Sequence, residues 1–378
     1  MARMLPDVRR VRLLRWSAGM ALAALACVLP HTGCLLTTEL DGLAGERPVD
    51  SGAPDGCASG RADCDDSPGC ETEVLANTKH CGECGHDCQG GACESGVCKP
   101  VSLAGTSGAK AMAIDDASVF WINDQGAVQS MSKSGGTPTL IASGQGLGDS
   151  PSIAVDADSV GWGTSITVLL ANKKSKAVST IASSQSKPKS VTLYGSSVYW
   201  INDKSVMRAS KSGGGSTTVL ATEENAPEQL RVGSDGVYWV VYFSNELRFL
   251  AHSGTQPQTL SAEYVKPKAL AIDATSVYVA ENGPGEGFNN GIVSRIPKGG
   301  GARTILATTQ AYPQGIDVDE GAVYWANFNG STVVRVTKDG AGMPVKIADA
   351  QTPTLVVVPA NDPFAWWIDS SGISKVAR

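Results

Sequence analysis

A chain of 378 residues with a formal net charge of −6 is long enough for a sizeable folded domain beside smaller segments. Its acidic balance argues against nucleic acid as a partner and against adsorption to anionic lipid. All ten cysteines lie within the first 98 residues, which excludes a Cys–His nucleophile from the remaining 280.

Residues 1–34 read as an export signal. Arg3, Arg9, Arg10, Arg12 and Arg15 precede an apolar run from Trp16 to Leu29. That run has the length of a signal core and is too short to span a bilayer comfortably. Thr32-Gly33-Cys34 resembles the lipobox of bacterial lipoproteins, which implies acylation of Cys34 and a membrane anchor through the lipid. Cys27 is a rival, and simple cleavage is a third route. Cysteine parity favours Cys34, because lipid there leaves eight cysteines to pair. Cleavage before Cys34 removes five Arg and one Asp, taking the charge from −6 to −10. Residues 35–56, with Gly42, Gly45, Pro48, Gly52 and Pro54, suit a flexible tether.

Residues 57–98 carry Cys57, Cys64, Cys70, Cys81, Cys84, Cys88, Cys93 and Cys98, with few large apolar residues. Such a module needs covalent staples, and behind an export signal disulfides are expected. The spacing does not fix their connectivity. Zinc is the alternative, since Cys81, Cys84, Cys88, His80 and His86 have ligand-like spacing. The expectation is disulfides, with no metal and no cofactor. Gly69-Cys70-Glu71 through Gly96-Val97-Cys98 resembles the short cysteine-rich modules near the start of secreted bacterial lipoproteins, which implies a spacer or adhesive knob.

From residue 99 onward one pattern repeats. Val119-Phe120-Trp121, Val160-Gly161-Trp162, Val198-Tyr199-Trp200 and Val237-Tyr238-Trp239 are followed by Val277-Tyr278-Val279, Val323-Tyr324-Trp325 and Ala365-Trp366-Trp367. Their third residues are 41, 38, 39, 40, 46 and 42 positions apart. Strand-like repeats of this period predict an all-β, seven-bladed propeller of four-stranded blades over 99–378. Strand A precedes the pulse, strand B is the pulse, and C and D follow around a turn such as Lys211-Ser212-Gly213-Gly214. The seventh repeat stops after strand C at Gly372–Arg378. Pro100-Val101-Ser102-Leu103-Ala104 matches strand D, so the first strand should complete the last blade and remove the sheet edges.

The repeated tryptophans are expected to be packing. Asp115, Asp156, Asp273 and Asp319, four residues before each Val, are expected to cap the A–B turns. Phe120-Trp121-Ile122-Asn123-Asp124, Tyr199-Trp200-Ile201-Asn202-Asp203 and Trp366-Trp367-Ile368-Asp369 resemble the YWTD-type propeller repeat of receptor ectodomains and bacterial surface proteins. So do the strand-opening prolines Pro151, Pro188, Pro227, Pro267, Pro313 and Pro353. The resemblance implies a structural role for the tetrad.

Binding residues are sought where repetition fails. Glu281-Asn282-Gly283-Pro284-Gly285-Glu286-Gly287-Phe288-Asn289-Asn290 lengthens the B–C loop of the fifth blade. The D–A loop at 143–150 faces the same side. The residues after the prolines vary: Ser152, Lys189, Glu228, Lys268, Gln314 and Thr354. The candidate site is Lys189, Glu228, Lys268 and Gln314 with Glu281, Asn282, Glu286, Phe288 and Asn289. Its partner is expected to be a protein, peptide or glycan at the cell envelope, of unspecified identity. Catalysis is not expected. Seven-bladed bacterial lyases that act on cyclic antibiotics use a histidine, whereas His252, the one histidine in the repeats, falls near a C–D turn on the opposite face. A hydrolase using Glu228 and Glu286 is the alternative. The expectation is an exported, outer-membrane lipoprotein whose propeller recognises or scaffolds.

Overall fold

The computed structural model describes residues 57–65, 69–214, 216–285 and 289–378. The export segment, the tether, Cys27, Cys34, Glu286 and Phe288 lie outside the described residues. Among the described residues every regular element is a strand.

Seven four-stranded antiparallel sheets follow one another along the chain, one per pulse. In blade 4, for example, Pro227–Val232, Gly236–Val241, Glu246–Ala251 and Gln258–Ser261 form strands A to D. The pulse strand pairs on both sides, so its side chains face neighbouring blades and meet no water. Trp121, Trp162, Trp200, Trp239 and Trp325 are completely buried. Trp121, Trp162, Trp239 and Trp325 lie across from the apolar strand A residues Met112, Ile153, Leu230 and Ile316. The tryptophans are packing, as expected.

The ring closes as the sequence predicts. Leu355–Val357, Phe364–Asp369 and Gly372–Ala377 are joined by Val101–Ser102 from the other end of the repeats. Ser102 pairs with Ser374 and Val101 with Lys375. The closing strand is only two residues long, shorter than the run from Pro100 to Ala104 that the pattern suggests. Pro100 has no N–H to donate, and the chain turns away at Gly105, where φ is 77°. Thr106 then takes over from the backbone: its Oγ1 accepts the Ile373 N–H at 2.9 Å and donates to the Leu103 carbonyl at 2.7 Å.

The cysteine-rich segment covers what this short strand leaves open. Its disulfides are Cys57–Cys70, Cys64–Cys84, Cys81–Cys93 and Cys88–Cys98. Cys81, Cys88 and Cys98 lie close enough to share an ion, but each is already bonded to sulfur, which removes the zinc reading. Cys81, Cys88, Cys93 and Cys98 share one apolar cluster with Val376, Ala377 and the cores of the last two blades. A cleft of about 360 Å³ between His86, Asp87 and the end of the chain at Pro363, Ala377 and Arg378 marks the edge of the contact. The module is therefore packed onto the ring and is not a free knob.

The A–B turns carry a second repeat. Asp273 Oδ1 accepts the Thr275 and Ser276 N–H groups, both at 2.8 Å, and Asp115, Asp156 and Asp319 make the same pair of bonds. They cap the turns as expected. The other oxygen of each reaches a cation on the next blade's C–D turn. Lys173 meets Asp115 at 2.5 Å, Lys338 meets Asp273 at 2.5 Å, Arg378 meets Asp319 at 2.5 Å, and Lys211 meets Asp156. Lys298 with Asp235 at 3.2 Å extends the series, and Lys133 with Asp362 at 2.6 Å carries it across the closure. The pulse tyrosines join it, since Tyr278 donates to Asp273 at 2.9 Å and Tyr324 to Asp319 at 2.8 Å. Blade 3 has no acid at this turn. There His252 fills the lysine's place, stacked 5.6 Å from the Tyr194 ring with Nε2 2.8 Å from the Gly233 carbonyl.

Burial alone would raise these carboxyls. The donors gathered on them outweigh it and hold Asp115, Asp156, Asp235, Asp273 and Asp319 below the usual carboxylate value of 3.8. The Tyr324 hydroxyl moves the other way, pushed up to about 12 by burial and then by Asp319. A depressed folded-state pKa stabilises above the unfolded value and is lost as pH falls through the folded one. Stability is therefore expected to decline below about pH 4. Asp273→Asn should cost about 1.5–3 kcal/mol at pH 7 and flatten that acid limb in chemical denaturation series. Removing Cys88–Cys98 by paired serine substitution should cost the ring about 2 kcal/mol. Tryptophan fluorescence reads this directly, since residues 57–98 contain no Trp; an unchanged melting midpoint would contradict the docking.

Candidate functional site

The opposite face of the ring carries the D–A and B–C loops. A recurring backbone bond joins each pair of loops: Asp203 N–H donates to Ser186 O at 3.1 Å, Tyr242 to Ala226 at 2.9 Å, Asn282 to Lys266 at 3.2 Å and Phe328 to Tyr312 at 3.2 Å. A second fastening lies beneath. Gln185, fifteen residues before Trp200, accepts the indole N–H at 3.1 Å, and Gln310 does the same for Trp325 at 2.9 Å. Asn202 and Asn327 donate to the same glutamines at 3.0 Å.

Blades 1 and 2 lack the glutamine, with Thr106 and Leu147 at its position and the Trp121 and Trp162 indole N–H groups unpartnered, and blades 4 and 5 replace it with other polar groups. Glu224 stands where Gln185 and Gln310 stand, buried, with burial pushing its carboxyl up against the opposing pull of the Trp239 indole and then of Arg248 at 3.8 Å. In blade 5 the equivalent residue is Tyr264, and the tryptophan is Val279. Tyr264 is 2% exposed and packs in the same cluster as Val279, Leu270 and Val277, so its ring occupies room the missing indole would take. The Arg303 guanidinium lies 4.5 Å from that ring and pairs with the carboxylate of Glu281.

The candidate residues divide accordingly. Lys189, Glu228 and Lys268 come together at the channel mouth. Glu228 bridges the two lysines, at 3.4 Å to Lys189 and 2.8 Å to Lys268. Lys268 Nζ also lies 5.9 Å from the Tyr242 ring centre. Gln314 is half-buried on the corresponding strand of blade 6. Glu281 is not at the mouth. It is fully buried at the end of strand B, where it accepts the Val265 N–H at 2.5 Å and pairs with Arg303. Asn282 is 5% exposed, and neither side-chain atom has a hydrogen-bond partner. Asn289 is exposed. Gly283 closes the base of the loop with φ at 75°, and a Cβ there would strike the Asn290 carbonyl.

Three features escaped the sequence reading. Lys110 lies two residues before Met112, the partner of Trp121, just as Glu228 lies two before Leu230; it is an exposed fourth charge at the mouth. Tyr242 and Phe243 on blade 4 meet edge-to-face at 5.1 Å, and Tyr312 and Phe328 beside blade 6 meet at 6.3 Å. These aromatic pairs flank the blade 5 loop; Phe243 is 67% exposed. Deeper in the channel, Arg231 and Asp317 oppose one another; burial pulls the first down and pushes the second up, each offset by the other. The signal for the aromatics was visible, since no other described B–C turn contains one.

Elsewhere on this face a cleft of about 420 Å³ opens at the ring closure beside Ser102, Asp349, Trp367 and Asp369. Asp369 is already occupied by the Trp367 indole at 3.0 Å and the Ser371 N–H at 2.8 Å. His252 is on the other face, as expected, and serves the inter-blade contact.

No protein-family model and no curated protein matches the chain. Solved structures match its fold. Virginiamycin B lyase from Staphylococcus aureus is 14% identical with a TM-score of 0.61, over 74% of this chain and 98% of that one. Kuenenia stuttgartiensis hydrazine synthase is 12% identical with a TM-score of 0.59, over 73% and 97%. YCF48 bound to D1 peptide is 11% identical with a TM-score of 0.55, over 74% and 96%. Identities this low define the class, a seven-bladed propeller, and no activity.

Val279→Trp alone should overpack blade 5 by about 1–3 kcal/mol. Combining it with Tyr264→Gln, which restores the arrangement of blades 3 and 6, should recover most of that loss in a double-mutant cycle of denaturant unfolding.

Proposed function

We propose that the protein is an exported recognition module of the cell envelope, non-catalytic, with its ligand held at the channel mouth over blades 3 to 6. One observation carries this reading. Charged and aromatic departures from the repeat gather on one face over blades 3 to 6: the Lys–Glu–Lys bridge, the buried acids Glu224 and Glu281, the two aromatic pairs and the long loop. Packing does not call for charged and aromatic side chains at these loop positions, so their gathering supports a ligand there.

Four disulfides support an oxidising compartment, and hence export. Acylation at Cys34, with the tether to residue 56, would hold the ring near an outer membrane facing the periplasm or the cell surface. Against catalysis, both oxygens of Glu228 are taken by lysines and His252 serves the scaffold on the far face. The fold is shared with a lyase that loss of a histidine inactivates, and the histidine of this chain's repeats, His252, lies at a C–D turn.

The test is capture from envelope extracts with the whole exported protein, intact or lacking 284–289. Deletion of the loop should abolish retention of the captured ligand while leaving the tryptophan melting curve in place. Equal capture by the two forms would remove the mouth as the site.

A further inference from the structure

We propose that the ligand of the mouth is an acidic peptide segment, an inference that rests on the recognition reading above and narrows it to one class. Three observations converge on it.

The first is charge. In a chain whose net charge is −6, Lys189 and Lys268 flank the carboxylate of Glu228, and Lys110 stands at the corresponding position of blade 1. The Lys–Glu–Lys bridge has two ammonium groups for one acid. Lys268 is held closely at 2.8 Å and against the Tyr242 ring, whereas Lys189 sits at 3.4 Å. Each ammonium has three N–H donors, so a second carboxylate can enter without breaking the bridge. Complementary charge of this kind favours an anionic partner.

The second is the Asn282 carboxamide. It is 5% exposed, at the base of the blade 5 loop, and its oxygen and nitrogen both lack partners. A buried donor–acceptor pair left unmatched is unfavourable. A peptide group presents a C=O and an N–H at the spacing that would satisfy both atoms at once. The third is the pair of aromatic contacts on either side, Tyr242 with Phe243 and Tyr312 with Phe328, with Phe243 open to solvent. Rigid aromatic surface beside a desolvated polar centre is the composition of peptide-binding hot spots. An anionic glycan would also meet the lysines, so it is made an arm of the test.

The experiment uses the whole exported protein on arrays of decapeptides carrying Glu at alternate positions with the other positions varied. Twin arrays carry Gln in place of Glu, and oligogalacturonate serves as a non-peptide polyanion. The acidic array should yield binders that the Gln twin loses, with affinity falling as salt rises. Against those binders, Lys268→Met should weaken affinity at least tenfold and Asn282→Ala about fivefold. Glu228→Gln, which removes the competing carboxylate, should tighten it severalfold. A structural role for Glu228 would not predict tightening. Variants are compared only where the tryptophan melting midpoint is retained, and Lys189→Met serves if Lys268→Met fails to fold. Absence of acidic binders, equal binding of the Gln twin, equal binding of oligogalacturonate, or no tightening in Glu228→Gln overturns the proposal. If loop-dependent capture from envelope extracts persists after such a result, the mouth remains the site and only the peptide class is lost.

Discussion

The molecule depends on a short piece of strand pairing. Val101 and Ser102 meet Lys375 and Ser374, and this contact joins the two ends of a chain that otherwise runs as seven successive sheets. An unclosed ring would expose two sheet edges and leave the last blade one strand short. The contact is too small to be strong alone. It is backed by Thr106, by Lys133 with Asp362 across the seam, and by the disulfide-bonded segment that packs against Val376 and Ala377. The cysteine-rich segment thus belongs to the closure. The residues that tie it to the ring, Cys81 to Cys98, immediately precede the closing strand.

Around that closure the inter-blade ion pairs repeat the same solution. Asp115, Asp156, Asp273 and Asp319 each cap their own turn with one oxygen and reach the next blade with the other, so local turn geometry and ring cohesion share a side chain. Surface ion pairs as a rule contribute little. These are partly buried, hydrogen-bonded by backbone and tyrosine, and therefore expected to matter more. Blade 3 shows that the position can be filled without an ion pair, by a stacked histidine and tyrosine.

Much of this was legible from residues alone. The pulse fixed the blade count because a strand buried on both sides demands large apolar side chains at a constant period. Closure was legible because a strand was missing at one end and present at the other. The role of Lys133, Lys173, Lys211, Lys298 and Lys338 was not read, although they recur at the head of five C–D turns; their partners lie on another blade, and no local pattern links them. The site was half legible. Lys189, Glu228 and Lys268 were found because they sit at variable positions after a fixed proline. Glu281 was counted with the loop, but a glutamate two residues after Val279 is still on the strand, where only a buried partner such as Arg303 keeps it. Tyr264 in place of glutamine explains why Val279 can replace tryptophan, a compensation between residues fifteen positions apart.

Truncating one of the buried tryptophans to alanine would cost roughly 3–5 kcal/mol, against a domain stability on the order of 5–15 kcal/mol. The repeat is thereby held fixed by folding, and recognition is left to the sector where it lapses. Hydrogen–deuterium exchange of the whole protein, with and without envelope extract, tests that division directly. The account predicts new protection in the D–A and B–C loops between residues 224 and 331, with the C–D turns around Lys133, Lys173 and Lys211 unchanged. Protection confined to those C–D turns would contradict it.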